Sequence, residues 1–126
     1  MAGASRGQDA GKDWMNQEFH IEERPDGEVP VIAVSGEIDV ATAPQLRECL
    51  QGVIARGETT IVLDLLGVTF LDSTALGVLV GALKRCREAG GDMHVVVAEP
   101  RILKIFEITG LTSVFTIVDS VSAAGA

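Results

Sequence analysis

The sequence predicts an α/β fold, in which an N-terminal β-hairpin leads into a mostly parallel sheet with right-handed β-α crossovers, about five strands and three to four helices. Three observations predict it. Short β-branched runs such as Thr60 to Leu65 and His94 to Ala98 alternate with longer stretches whose apolar residues recur at helical spacing. Gly, Pro, Asp and Thr punctuate the joins between them. The length of 126 residues suits one domain with a proper core, and neither an internal repeat nor a second domain is visible.

Residues 1–13 are Gly, Ala and polar residues without the apolar stretch of a secretion signal, so they read as a flexible leader to a domain over 14–126. Phe19 to Arg24 alternates apolar and polar residues, Val29 to Ser35 is apolar and β-branched, and Pro25-Asp26-Gly27-Glu28 lies between them. That pattern is strand, turn, strand. Pro30 cannot donate to a ladder, which places its N–H side at an edge or a bulge. Gly36 to Ala41 reads as a short acidic loop. Thr42 and Gln45 then form a capping box, with Pro44 in the first turn of a helix. Leu46, Cys49, Leu50, Val53 and Ile54 make its apolar face, and Gly57 its C-cap.

Thr60 to Leu65 is a buried strand interrupted by Asp64, and Gly67 to Asp72 forms the next connection. A helix is expected from Ser73 to Ala89, with Leu76, Leu79, Val80 and Leu83 inward and Gly90-Gly91 ending it. His94 to Ala98 is the next strand. Pro100 starts a third helix carrying Ile102, Leu103, Ile105 and Phe106, and Gly110 stops it. Val114 to Val118 is a last strand, and Val121 to Ala124 begins a short final helix. Phe106 and Phe115 read as core.

Composition narrows the function. A net charge of −8 argues against nucleic acid, whose affinity comes largely from Lys and Arg neutralising phosphates. It is compatible with a basic protein partner, or simply with solubility. No apolar run approaches the roughly 20 residues that span a bilayer, so no membrane is implied. Cys49 and Cys86 lack metal-ligand spacing and have apolar neighbours, which suits two buried thiols in a cytoplasmic protein. Lys84, Arg85 and Arg87, and likewise Lys104 and Glu107, read as solvated helix faces.

In sheets of this kind functional loops gather at the carboxyl ends of the strands, here Gly36 to Thr42 and Gly67 to Thr74. Phe70 to Gly77 places two hydroxyls beside a carboxylate at a helix start. N-capping alone accounts for such residues. A helix start is also a ready anion site, so a phosphate on Ser73 could accept from free N–H groups and leave the fold intact. The two readings are compatible.

Enzyme readings fit poorly. Asp72-Ser73-Thr74 lacks the glycine of the aspartic-protease motif, and no Gly-x-Ser-x-Gly elbow is present. The two candidate bases, His20 and His94, lie in predicted strands. Gly77 to Lys84 does not match a phosphate-binding loop. A receiver domain could use Asp64 as acceptor and Lys104 as its lysine, but Glu37 and Asp39 follow a hairpin and not an early parallel strand.

Gly36-Glu37-Ile38-Asp39, Leu63-Asp64-Leu65, Phe70-Leu71-Asp72-Ser73-Thr74-Ala75-Leu76-Gly77 and Ile102 to Leu111 stand in a familiar order and spacing. Over Phe19 to Ala124 the chain resembles the anti-sigma factor antagonists of the STAS domain family, and Asp39 to Phe115 looks especially like actinobacterial members. The resemblance implies a single STAS-type domain, no catalytic activity, no metal and no cofactor. It implies that Ser73, directly after Asp72, is phosphorylated by a serine kinase that is also the anti-sigma factor, and that a PP2C-type phosphatase reverses this. The unmodified form then binds the anti-sigma factor and frees the sigma factor, regulating transcription in a stress response. Asp39 and Thr42 fall in the loop beside the phosphorylation site, and Asp72 and Thr74 flank it; these are the expected partner-binding residues. Ala75 stands where many members carry Gly. The chain itself would be a monomer or weak homodimer. An unregulated STAS interaction module in a larger signalling complex is the alternative.

Overall fold

The computed structural model describes residues 18–24 and 27–125. The hairpin strands are β1 (His20–Arg24) and β2 (Val31–Ile38). They are followed by α1 (Ala43–Ala55), β3 (Thr60–Leu71), α2 (Ser73–Glu88), β4 (Asp92–Val96), α3 (Pro100–Ile108) and β5 (Thr116–Val118). Single 3-10 turns lie at Leu111–Ser113 and Ser122–Ala124. One sheet has the order β1-β2-β3-β4-β5; β1 is antiparallel to β2 and every later pair is parallel. This is the α/β architecture that the alternating pattern predicts. The leader, with Trp14 and Met15 beyond it, and the turn residues Pro25 and Asp26 lie outside the described residues.

Strand order follows chain order, so each crossover steps the same way, and a common hand places the helices on one face. Side-chain parity agrees. Ile32, Val34, Ile61, Leu63 and Val95 share one core with Leu46, Leu50, Leu79, Leu83, Ile102 and Phe106 of the three helices. Val31, Val62 and Val96 point the other way, into a smaller cluster with Ala124 of the C-terminal turn. Phe106 meets Phe115 edge to face, with ring centroids 5.8 Å apart, which ties α3 to the approach of β5.

Several local expectations are corrected. Gly36-Glu37-Ile38 continues β2 and Gly67 to Leu71 continues β3, so neither stretch is loop. The cause is burial: Ile38, Val68 and Leu71 all reach the core. Register shifts between Ala33 and Ser35, and between Gly36 and Glu37, break the strict alternation by which a strand is recognised. Gly67 serves this close pairing, since a Cβ there would lie 2.8 Å from the Cβ of Ser35.

Pro30 sits just before β2, outside the ladder, and its carbonyl accepts from the Val62 N–H at 3.0 Å. No ladder N–H is needed there because the strand begins at the next residue. Val80 is 37% exposed; α2 instead buries Ala75, Leu76, Val78, Leu79, Ala82, Leu83 and Cys86. The alanines let the helix lie close to the sheet and turn its buried face toward them. Cys86 is buried and Cys49 only half-buried. Burial is the main cause that raises both thiols above their ordinary pKa, which keeps them neutral. No helix among the described residues is long and apolar enough to cross a membrane.

Candidate functional site

β2 and β3 run parallel and end together, with Ile38 paired to Leu71. The Asp72 N–H donates to the Ile38 carbonyl at 3.2 Å, which ties the two chain exits side by side. Everything that leaves those exits therefore shares the carboxyl end of the sheet.

After Ile38 the chain turns at Asp39. Its Oδ1 accepts from the N–H of Ala41 at 3.0 Å and of Thr42 at 3.1 Å. Thr42 Oγ1 accepts from the Asp39 N–H at 2.9 Å and donates to the Glu37 carbonyl at 2.9 Å. These bonds displace the expected capping box. Thr42 adopts helical angles, φ −103° and ψ −21°, and its side chain caps nothing in α1, because its hydroxyl is turned back into the loop. Asp39 takes over, its carbonyl accepting from the Ala43 N–H at 2.7 Å. The loop is thus braced by its own polar groups, and it carries Val40 outward, 71% exposed.

After Leu71 the backbone of Asp72 is extended, and its Oδ1 accepts from the Ala75 N–H at 3.0 Å. Asp72 is the N-cap of α2. That assignment releases both hydroxyls. Ser73 and Thr74 are the first two residues of the helix and both are exposed. The Ser73 hydroxyl has no hydrogen-bond partner among the described residues. In the first turn the N–H groups of Ser73 and Thr74 have no acceptor within the helix, so an anion on Ser73 would find donors beside it. Ala75 is fully buried, so its methyl packs into the core while its N–H completes the cap.

The structure therefore brings Asp39, Thr42, Asp72, Ser73 and Thr74 to the carboxyl end of β2 and β3, with Glu37 exposed beside them on β2. Sequence reasoning missed two apolar members of this surface. Phe70, opposite Glu37 in the ladder, is 46% exposed, and Val40 stands at the loop tip. A valine inside an otherwise polar loop was the available signal for the second; Phe70 had none, being embedded in an apolar run. The rival sites do not assemble. His20 is exposed on edge strand β1, and His94 is held near Asp92 and the Ala124 carbonyl. Asp64 is buried, accepts from the Leu66 N–H at 2.9 Å and faces Arg24 at 3.7 Å.

Replacing the cap tests this geometry. Asp72→Ala is expected to lower unfolding stability by about 1 kcal/mol, with Asp72→Asn retaining most of it. Thermal denaturation reads the difference. Equal melting temperatures for wild type and Asp72→Ala would show that the Ala75 bond carries no stability.

The STAS domain family matches residues 20–124 of the chain. The chain is similar to an anti-sigma-B factor antagonist of Listeria monocytogenes, 36% identical over 103 residues that cover 82% of this chain and 90% of that one. Among solved structures it is similar to an anti-sigma factor antagonist from Mycobacterium paratuberculosis, 30% identical with a TM-score of 0.78, covering 85% of this chain and 91% of that one. It is also similar to the Bacillus cell fate determinant SpoIIAA in its phosphorylated form, 25% identical with a TM-score of 0.64 over 84% and 96% of the two chains.

Proposed function

The chain belongs to the STAS domain family, and from that premise we propose that it is a cytoplasmic anti-sigma factor antagonist whose binding is set by one phosphate on Ser73. The observation that carries the reading is the exposed Ser73 at the start of α2, with the capping role already filled by Asp72. Relatives named as anti-sigma factor antagonists, and a related structure in a phosphorylated form, support it.

The partner is an anti-sigma factor with serine kinase activity. In the unmodified state its surface covers the neutral Ser73 hydroxyl and touches Asp39, Thr42, Asp72 and Thr74, and the sigma factor is released. Val40 and Phe70 supply the apolar part of the same contact. The acidic groups Glu37, Asp39 and Asp72 suit a kinase surface that carries basic residues for ATP. Ser73 Oγ then attacks the γ-phosphorus of ATP held by the kinase, forming the ester as ADP departs. A PP2C-type phosphatase hydrolyses that ester with water and restores the hydroxyl.

The new phosphate carries about −1.5 to −2 charges and stands where the partner packs against a neutral hydroxyl. It accepts from the free first-turn N–H groups, so the antagonist stays folded while its partner leaves. No large conformational change is needed.

The test is direct. Ser73→Ala used as bait should recover a histidine-kinase-like ATPase from lysate. With that kinase and ATP, mass spectrometry of the wild-type protein should place one phosphate, on Ser73. Phosphate on Thr74 or elsewhere refutes the site, and binding without any phosphate transfer leaves an unregulated STAS module in place of the switch.

A further inference from the structure

A groove of about 270 Å³ runs between α1 and α2, outside the Ser73 loops but reaching Thr74. The two helices both return antiparallel to the parallel strands β2 and β3, so they point the same way. Thr74 and Arg47 accordingly lie toward one end of the groove, and Ile54 and Arg85 toward the other. At 1.5 Å per residue, Thr74 to Arg85 spans about 16 Å, roughly three helical turns.

Charge marks both ends. Ion pairs engage Arg24, Arg56, Arg87 and Arg101, whereas Arg47 and Arg85 have no side-chain partner among the described residues. In a chain of net charge −8, two unpaired guanidiniums at the ends of one groove favour an acidic occupant. The floor between them is low. Gly77 and Gly81 line it, and a Cβ at either would meet nothing within 4 Å. Internal packing does not require these glycines, which are unfavourable inside a helix; they leave room for another backbone to approach. Its lining runs along both helices for about 16 Å on α2, a length that suits a helix laid along it.

We infer that this groove docks an amphipathic helix of the anti-sigma factor, with an apolar stripe bracketed by carboxylates that meet Arg47 and Arg85. The inference rests on the functional reading above. It adds an anchoring site that a phosphate on Ser73 does not occupy.

Calorimetric titration of the purified anti-sigma factor tests it. The double variant Arg47→Glu/Arg85→Glu should bind on the order of 30-fold more weakly or worse. Gly81→Leu fills the floor. It should raise the melting temperature, because it adds helix propensity in open space, and still weaken binding about tenfold or more. That opposite movement is one that a purely structural role would not produce. Affinities within twofold of wild type for both variants overturn the groove assignment and leave the functional reading standing. Failure of the wild-type chain itself to bind any anti-sigma factor sinks the functional reading instead. If sedimentation shows a dimer that the double variant abolishes while anti-sigma affinity is unchanged, the occupant is a second copy and the helix assignment falls.

Discussion

Phosphorylation of Ser73 is expected to weaken anti-sigma factor binding on the order of a thousandfold or more, and Ser73→Asp roughly 30- to 150-fold. The magnitudes follow from charge. One unit of like charge at ~6 Å costs ~2–3 kcal/mol at an effective dielectric of ~20, and phosphoserine brings about −1.5 to −2. The like charge would be that of the nucleotide phosphates the partner holds against Ser73, since Asp72 and Asp39 carry their charge in the free and the bound protein alike. Burial of the doubly charged phosphate against a partner adds a desolvation penalty that the first-turn N–H groups offset only in part. Ser73→Ala should bind within a few-fold of wild type, because a hydroxyl with no hydrogen-bond partner among the described residues is lost cheaply.

The phosphate and the aspartate can also be told apart by pH. The second ionisation of phosphoserine lies near 6, so its charge falls toward −1 as pH drops through that value. Binding of the phosphorylated form should then partly recover, while Ser73→Asp stays unchanged. Calorimetry at pH 7.5 and about pH 5.5 reads both effects. Equal affinities for Ser73→Ala and Ser73→Asp would remove the electrostatic switch altogether.

How far the sequence reaches depends on whether a feature is local. The α/β class is legible because apolar periodicity and turn residues each describe a single segment. Asp72-Ser73-Thr74 is legible as a helix start for the same reason, although which of the three caps is decided only by the extended backbone at Asp72. The strand ends are not legible. Ile38 and Leu71 are held by each other across the ladder, past bulges that shift the alternation. The capping box at Thr42 fails for a related reason: its hydroxyl can bond forward to the helix or backward to Glu37, and the preceding strand settles the choice. The groove is the least legible of all. Arg47 and Arg85 belong to helices that meet only after folding, so each alone looks like an ordinary solvated cation.

Gly91 shows the same limit in energetic form and gives the largest stability effect expected for a small substitution. In sequence, Gly90 and Gly91 read as equivalent helix terminators. In the fold they do different things. Gly90 has φ +89° and open space around its Cα, so its need is for a left-handed backbone. Gly91 has no such angle, but an added Cβ would lie 2.0 Å from the Thr59 carbonyl oxygen and 2.4 Å from its carbon.

Neither partner at that contact can yield freely. The Thr59 carbonyl accepts from the Asp92 N–H at 3.1 Å, and the Gly91 N–H donates to the Cys86 carbonyl at 2.8 Å. Thr60 and Asp92 then form the first rung between β3 and β4. Moving Gly91 away breaks the closure of α2 or the start of that ladder. Gly91→Ala should therefore cost on the order of 3 kcal/mol or more, against about 1–2 kcal/mol for Gly90→Ala. In a domain of this size the first loss lowers the melting temperature by about 12 °C or more, and the second by roughly half that. Thermal and urea unfolding of both variants measure the order; equal losses would mean that the Thr59 contact relaxes without consequence. The clash lies where β3 begins and Ser73 where it has ended, at opposite ends of the sheet. Gly91→Ala that remains folded should thus keep its affinity for the anti-sigma factor, so that stability and switching fail separately.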